Sequence, residues 1–373
     1  MNDIQINNKM ENNDSKDVKE TNSEENHFFN EYKDKGLTGL ANMGNTCYLN
    51  SCVQILSHTY EFNHFLKNSN YKGRLNDKPE SVLLVEWDNL RELMWRQNCT
   101  IAPNGFIAAI RAIANIKKRE MFTGYDQNDV CEFFLFLIEN FHSAISRPVD
   151  IQISGEAKNN TDILAIKCYK MIQNMYNQEY SELLDMFFGV SVSQIKSVSN
   201  GKILSCIPES FCVLSLHIPL NKHGITLFEC IDDYCKVERL EGENAYFNEE
   251  TNQKEDIDKN TTFWSLPNIL IIDLKRYDMY GRKLNTVVDI PFNADFSKYI
   301  SGYNKHSYLY ELYGVCNHSG GTMGGHYTSS IKNANGKWYT INDTTIHEIQ
   351  EDKLISNKSY CLFYRKKKDN LYI

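Results

Sequence analysis

Residues Gly39–Gln54 read Gly-Leu-Ala-Asn-Met-Gly-Asn-Thr-Cys-Tyr-Leu-Asn-Ser-Cys-Val-Gln. This stretch sets Cys47 where a Gly- and Asn-rich turn gives way to a helix. Leu49, Cys52, Val53 and Leu56 recur at i, i+3, i+4 and i+7, so an apolar helical face starts directly after the thiol. A thiol at a helix N-terminus meets unpaired backbone N–H groups and the positive end of the macrodipole, which favours thiolate. The expectation is a nucleophile whose activity rises well below the ~8.5 of a free thiol. It needs a histidine from elsewhere in the chain.

The rest of the composition suits an intracellular globular enzyme. The 373 residues are 42% apolar and 12% aromatic, ample for a core. No stretch reaches the ~18 apolar residues of a membrane span, and the polar N-terminus shows no signal peptide. Eleven cysteines without a secretory signal indicate free thiols in a reducing, cytoplasmic setting, with the nucleus not excluded. A net charge of −8 argues against nucleic-acid binding. Residues 1–35 hold nine Asp or Glu against five Lys, which is −4 of that total.

Residues 1–30 are polar and read as a disordered acidic tail. A helical half follows. Leu83, Trp87, Leu90 and Met94 make one stripe, and Pro103 opens a helix carrying Phe106, Ile110 and Ile113. The strongest helix spans about Asp126 to His142, with Val130, Phe133, Phe134, Leu137, Ile138 and Phe141 on one side, and another spans about Asp162 to Tyr176. After about Phe187 the period changes to two. Strands are expected near Cys212–Ile218, Ile269–Tyr277, Val287–Pro291, Tyr308–Cys316, His326–Ile331, Trp338–Ile341 and Tyr360–Tyr364. The polar stretch Glu241–Asn260 reads as an exposed hairpin tip or loop. Helices first and strands afterwards predict an α+β architecture.

Of ten histidines, His326 stands apart because it follows Ser319-Gly320-Gly321-Thr322-Met323-Gly324-Gly325 and opens a strand. Glycines there let a substrate main chain approach closely. Downstream, Asn333-Ala334-Asn335-Gly336-Lys337 and Trp338–Asp343 read as a hairpin. A two-residue Asn335-Gly336 turn would pair Ala334 with Lys337 and put His326 on the face opposite Asn342, whereas a three-residue loop with Gly336 in the left-handed region pairs Asn333 with Lys337. Asn342 then lies opposite Thr328, diagonal to His326 on the same face. Its amide oxygen would orient one ring N–H and leave the other nitrogen for Cys47. Asp343 is the competing orienter, and a bulge would hand it the role.

Cysteine, histidine and asparagine in this order are the papain-type arrangement. The Cys47 segment, Gly325-His326-Tyr327 and Trp338–Asp343 resemble the signature boxes of the ubiquitin-specific proteases. Gln127-Asn128-Asp129-Val130-Cys131-Glu132-Phe133 is similar to that family's Gln-Gln-Asp-Ala-x-Glu-Phe helix start. Leu266-Pro267 through Leu274-Lys275-Arg276-Tyr277 is similar to its Leu-Pro…Leu-Lys-Arg-Phe strand. The resemblance implies a papain-like cysteine protease fold with a helical thumb at about 36–185 and β fingers and palm at about 186–366. It implies a monomeric deubiquitinating enzyme without cofactors, acting on ubiquitin or ubiquitinated proteins. Cys47 would attack the terminal glycine carbonyl, His326 would act as base and then acid, and Asn42 would help hold the oxyanion. For Asn42 the plain alternative is a turn residue. Gln127, Asp129 and Glu132 would grip the ubiquitin tail, although acids here also cap a helix, with Asp126 as N-cap. Gly324 and Gly325 would line a slot too narrow for side chains, with Tyr327 packed beside it.

The chain departs from the resemblance in the fingers. Many members hold zinc there with two Cys-x-x-Cys pairs; here those positions fall on Ser197, Asn200, Asn248 and Thr251. No structural zinc is expected, and strand pairing with apolar packing must hold the fingers alone. Asp273 stands where a histidine is frequent. Two other functions fit the same residues: a ubiquitin reader that has lost turnover, and a protease for another ubiquitin-like modifier.

Overall fold

The computed structural model describes residues 5–8, 29–219, 224–303, 308–321 and 324–367. Among the described residues, helices at Cys47–Ser57, Tyr60–Asn68, Glu80–Arg96, Asn104–Ile116, Val130–Ile145, Asn160–Gln178 and Glu182–Phe187 precede the main strands. Central to the remainder is an eight-stranded sheet. Its order is Thr345–Ile349, Trp338–Asn342, Gly324–Lys332, Leu309–Gly321, Ser359–Lys366, Ile269–Lys275 and Val213–His217, with Asn293–Asp295 also paired to Leu309–Gly321. The α+β expectation holds.

Strand parity explains how one sheet serves two cores. Along Ile269–Lys275, Ile269 and Ile271 enter the core shared with the helices. Leu270, Ile272 and Leu274 enter a second core with the helix Leu227–Tyr234. A strand covered on both faces reads as an unbroken apolar run, which is what this one does. The helix Cys47–Ser57 is buried along its whole length and packs across Gly324–Lys332. The catalytic candidates therefore sit at the junction of the most buried helix and the sheet.

A separate four-stranded sheet forms the fingers, ordered Ile203–Phe211, Gly189–Ser197, Ile257–Ser265 and Glu238–Leu240. One face rests on the helix Asn160–Gln178 through Leu164, Cys168, Val190, Val192 and Trp264. The other is largely open, so its strands are polar. That is why Ile257–Ser265 was half hidden inside the stretch Glu241–Asn260; the rest of that stretch does form a small hairpin, Tyr246–Asn248 with Gln253–Glu255.

The fingers correct one expectation: packing and strand pairing are not alone. Ser197 is buried and its hydroxyl meets Ser199 at 2.9 Å. Glu255 accepts from both Asn248 and Ser197, which holds its carboxyl below the usual range. Lys202 Nζ donates to Glu250 at 2.8 Å. The positions expected to lack thiolates thus form a hydrogen-bonded clasp between two turns, and this donor set does not suit zinc.

Two further differences concern termini. Gln5–Asn8 pairs antiparallel with Ile151–Ser154, so this piece of the expected tail has backbone partners at a strand edge; residues 9–28 lie outside the described residues. The strongest helix begins at Val130, and its N-cap is Asp129 rather than Asp126.

Candidate active site

The Cys47 turn is built by consecutive left-handed residues, Gly44 at φ 98° and Asn45 at φ 53°. Asn42 organises it. Its Oδ1 accepts from the Gly44 and Thr46 N–H groups at 3.1 and 3.2 Å, and its Nδ2 donates to Asp343 Oδ2 at 3.0 Å. The turn role and a fixed, solvent-facing amide thus coexist in one residue.

Cys47 is the first residue of its helix, and its side chain is buried. Burial pushes the thiol up from its ordinary value. N–H groups of Tyr327, Tyr48 and Cys47 oppose that shift, while the Asp343 carboxylate adds to it. The expected depression is therefore corrected. The helix terminus acts in the anticipated direction, but desolvation outweighs it.

His326 lies on Gly324–Lys332. Trp338–Asn342 pairs with that strand in the register Ser329 to Ile341 and Lys332 to Trp338. The connecting loop closes with Asn333 N–H on the Lys337 carbonyl, and Gly336 has φ 82°. Continued one step, this register puts Asn342 across from Thr328. Asn342 Oδ1 lies 2.7 Å from His326 Nε2. Since a carboxamide oxygen only accepts, the contact calls for a proton on Nε2 and leaves Nδ1 as the ring nitrogen not engaged by Asn342. Among the described residues, no hydrogen bond yet joins that ring to the Cys47 sulfur.

Asp343 turns away from the histidine. At φ 50° it starts the tight turn into Thr345–Ile349. Its Oδ1 accepts from Asn50 Nδ2 at 2.7 Å, and its carbonyl accepts from Leu40 N–H at 2.9 Å. A Cβ on Gly39 would lie 2.5 Å from the Thr344 carbonyl oxygen, so glycine is what lets these two segments touch. Asn50 was not singled out in the sequence; the available signal was a polar side chain one turn after Cys47, shared with Ser51, Gln54 and Ser57 of the same helix.

The residues expected to grip a substrate divide. Asp129 Oδ1 caps its helix, accepting from Cys131 and Glu132 N–H, and Oδ2 accepts from the Tyr360 hydroxyl. That carboxylate is spent internally. Glu132 is exposed and, among the described residues, carries no hydrogen bond or ion pair on its carboxylate. Gln127 pairs with the Gly325 peptide, donating to its carbonyl at 2.7 Å and accepting from its N–H at 2.6 Å. A Cβ on Gly324 would meet open space, whereas one on Gly325 would fall 2.1 Å from His318 Nε2. Only the second glycine is dictated by a neighbour.

His318 itself was missed. It is buried, and its ring packs at a tilt against Tyr327 at 4.6 Å and Tyr360 at 5.6 Å. Its Nδ1 is 2.9 Å from Lys283 Nζ. Burial, followed by the Lys283 charge, lowers its pKa to about 4. The neutral ring forms a floor under Gly325. Arg276, of the Leu-Lys-Arg-Tyr box, is buried and donates to the carbonyls of Ser359, Leu284 and Thr286. It anchors the loop that carries Lys283.

Comparison with known proteins identifies the family. The sequence model of the family described as ubiquitin carboxyl-terminal hydrolase matches residues 38–364. Ubiquitin carboxyl-terminal hydrolase Usp2 of Drosophila melanogaster is 31% identical over 342 residues, covering 90% of this chain and 35% of that protein. Ubiquitin carboxyl-terminal hydrolase 2 of Homo sapiens is 30% identical over 347 residues, covering 88% of this chain and 55% of that protein. The chain thus spans about a third to a half of these relatives. A chain of the SAGA DUB module (Ubp8, Sgf11, Sus1 and Sgf73) bound to monoubiquitin superposes with a TM-score of 0.70 at 24% identity, covering 91% of this chain and 71% of that one. With the family match running from just before the Cys47 turn to the last strand of the palm, this chain belongs to the ubiquitin carboxyl-terminal hydrolase family.

Proposed function

We propose that the chain is a thiol-dependent deubiquitinating protease that hydrolyses the isopeptide or peptide bond after the C-terminal glycine of ubiquitin. The observation that carries this reading is the 2.7 Å contact between His326 Nε2 and Asn342 Oδ1, on the strand whose next N–H, that of Tyr327, faces the Cys47 sulfur. His326 Nδ1 takes the thiol proton as Cys47 Sγ adds to the carbonyl carbon. The resulting oxyanion is held by the second amide hydrogen of Asn42 and the N–H groups at the helix terminus. Collapse breaks the C–N bond, and the leaving amine takes the proton from His326. Water, deprotonated by His326, then cleaves the thioester to a glycine carboxylate and restores the thiol.

Asn42 and Asp343 belong to this machinery in different ways: Asn42 touches the reacting oxygen, and Asp343 positions Asn42. Glu132 is the carboxylate available to a basic ubiquitin tail. The catalytic unit is assigned to residues 36–366, with a thumb at about 36–185 and fingers and palm beyond, working as a monomer. Eleven free cysteines suit the reducing interior of a cell. Among the described residues no helix is long and apolar enough to cross a membrane.

The decisive experiment uses ubiquitin carrying a fluorogenic C-terminal amide, under reducing conditions. Wild-type protein cleaves it, Cys47→Ala does not, and a ubiquitin electrophile labels Cys47 alone. The unbridged gap between Cys47 and His326 favours one second reading, a ubiquitin reader without turnover. Ubiquitin binding by an inert wild type that resists the electrophile would select that reading. Parallel probes built on other ubiquitin-like modifiers test the choice of modifier.

A further inference from the structure

We propose that Gln127 is a place-holder for the substrate main chain, sealing the strand edge beside Cys47 until an extended tail displaces it. The proposal rests on the protease reading above, and it assigns Gln127 a role in the free protein instead of a direct grip on substrate.

The geometry comes from strand alternation. In an antiparallel strand, the N–H and C=O of one residue point to the same side, and successive residues alternate sides. Gly324–Lys332 has Leu309–Gly321 on one edge from Gly324 to Ile331, but Trp338–Asn342 covers the other edge only from Ser329 onward. Ser329 and Ile331 face that second edge, so Tyr327 and Gly325 face it too, beyond its last covering residue. The Tyr327 N–H points at the Cys47 sulfur. The Gly325 N–H and C=O are therefore the next pair along this edge, two residues upstream of the nucleophile's neighbour. An extended chain delivering its terminal carbonyl to Cys47 would pair with that peptide, as peptides do when they add to a sheet edge.

Gln127 already occupies both groups. Its amide offers one donor and one acceptor at 2.7 and 2.6 Å, which is the pattern of a backbone peptide in an added strand. Nothing in the packing forces this contact, because Gln127 is exposed. The neighbouring residues hold its backbone. Asn128 donates to the Asp126 carbonyl at 3.0 Å and bonds the Tyr48 side chain, and Asp129 caps the following helix. The Gln127 side chain is left to swing. His318 fills the space below Gly325, so an incoming chain can reach this peptide only along the edge that Gln127 covers.

Displacement exchanges one pair of hydrogen bonds for another, and the cost falls on binding. The edge stays closed to main chains that bring no other contacts, and opens to one whose remaining contacts offset the lost pair. The test has a readout independent of turnover: amide exchange at Gly325, followed by NMR on glycine-labelled, substrate-free protein. Gln127→Ala, and Gln127→Asn with its shorter reach, should exchange about fivefold faster than wild type, as expected for losing one modest hydrogen bond. With the ubiquitin amide, Gln127→Ala should lower KM several-fold at unchanged kcat. Gln127→Glu keeps the acceptor but repels the carbonyl, and should fall between. An unprotected Gly325 amide in wild type would overturn the proposal. So would a rise in KM in Gln127→Ala, which marks a substrate ligand, or a fall in kcat at constant KM, which marks support of His326. Should wild type not cleave the ubiquitin amide at all, the protease reading fails while the exchange result still decides whether Gln127 covers the edge.

Discussion

The two flanks of the site are held in opposite ways. On the Cys47 flank, the helix is buried along its whole length. Asn42, Asn50 and Leu40 are all fastened to the Asp343–Thr344 turn. On the His326 flank, the imidazole stands where Trp338–Asn342 no longer covers the strand edge, and among the described residues its ring hydrogen-bonds to one side chain, Asn342. Among the described residues, the surroundings of the proposed nucleophile are thus fixed by several hydrogen bonds and the ring of the proposed base by one. In the proposed mechanism, preorganisation is concentrated where charge would develop on oxygen, and the step left for substrate to complete would be the approach of the ring to the thiol. Asn342 and Asp343 are adjacent, yet one serves each flank, because a strand ends between them and the left-handed Asp343 turns its carboxylate toward the helix.

This contrast predicts that the residue without contact to His326 matters most. Asp343→Ala strips partners from the Asn42 and Asn50 amides, and Asn50 is buried. Steady-state kinetics should show kcat/KM down about a thousandfold, the upper range for losing an oxyanion donor. Thermal unfolding should show a loss of roughly 2 kcal/mol from the lost bond between the buried Asn50 amide and a carboxylate. Asn342→Ala should cost about a hundredfold in kcat, in the range for misplacing a general base, with stability almost unchanged. Asn342→Asp, which keeps an acceptor, should recover most of it. If Asn342→Ala proves the more destabilising of the two, the division between a fixed and a loose flank is wrong.

A third expectation concerns stability and falls on Asp273, in the strand Ile269–Lys275. Burial, and then the nearby Asp129 charge, raise its carboxyl to about 6, with Ser215 donating to Oδ2 at 3.1 Å. A folded-state pKa above the unfolded value of about 3.9 means the folded form binds the proton more tightly. Its favourable contribution is complete below pH ~4 and is lost as pH rises through about 6. Asp273→Asn should therefore stabilise the protein by roughly 2 kcal/mol at pH 8, with the gain vanishing near pH 4. Chemical denaturation at the two pH values decides it. A gain independent of pH would place its origin elsewhere.

The sequence carried the parts of this site that depend on local period. Hairpin parity from Gly336 set Asn342 on the face of His326, and the apolar stripe after Cys47 announced the central helix. What it could not carry depends on segments far apart in the chain. His318 reaches Gly325 through a pairing of two strands across a glycine-rich loop, and no local pattern reports which side of Gly325 is filled. The first helical turn at Val130 was blurred because Asp126 and Asp129 are both capable caps. The fingers were hardest to read, since strands open on one face are polar enough to pass for loop. The thiol's acidity was misjudged for a related reason: a helix terminus is visible in sequence, and the depth of its burial is not.

That misjudgment gives the smallest effect and the most direct probe of whether the flanks communicate before substrate arrives. With burial raising the Cys47 thiol and no bond to His326, alkylation of the free protein by iodoacetamide should climb with pH through a midpoint above that of an ordinary thiol, near 8.5. Asn342→Ala should leave that profile within about 0.3 units of wild type, since the ring it releases is not yet the thiol's partner. In a complex with ubiquitin that leaves the thiol accessible, the midpoint should fall, because a neighbouring imidazolium favours thiolate. A free protein that alkylates rapidly at pH 6 would mean the pair is already formed, and the looseness of the His326 flank would have to be abandoned.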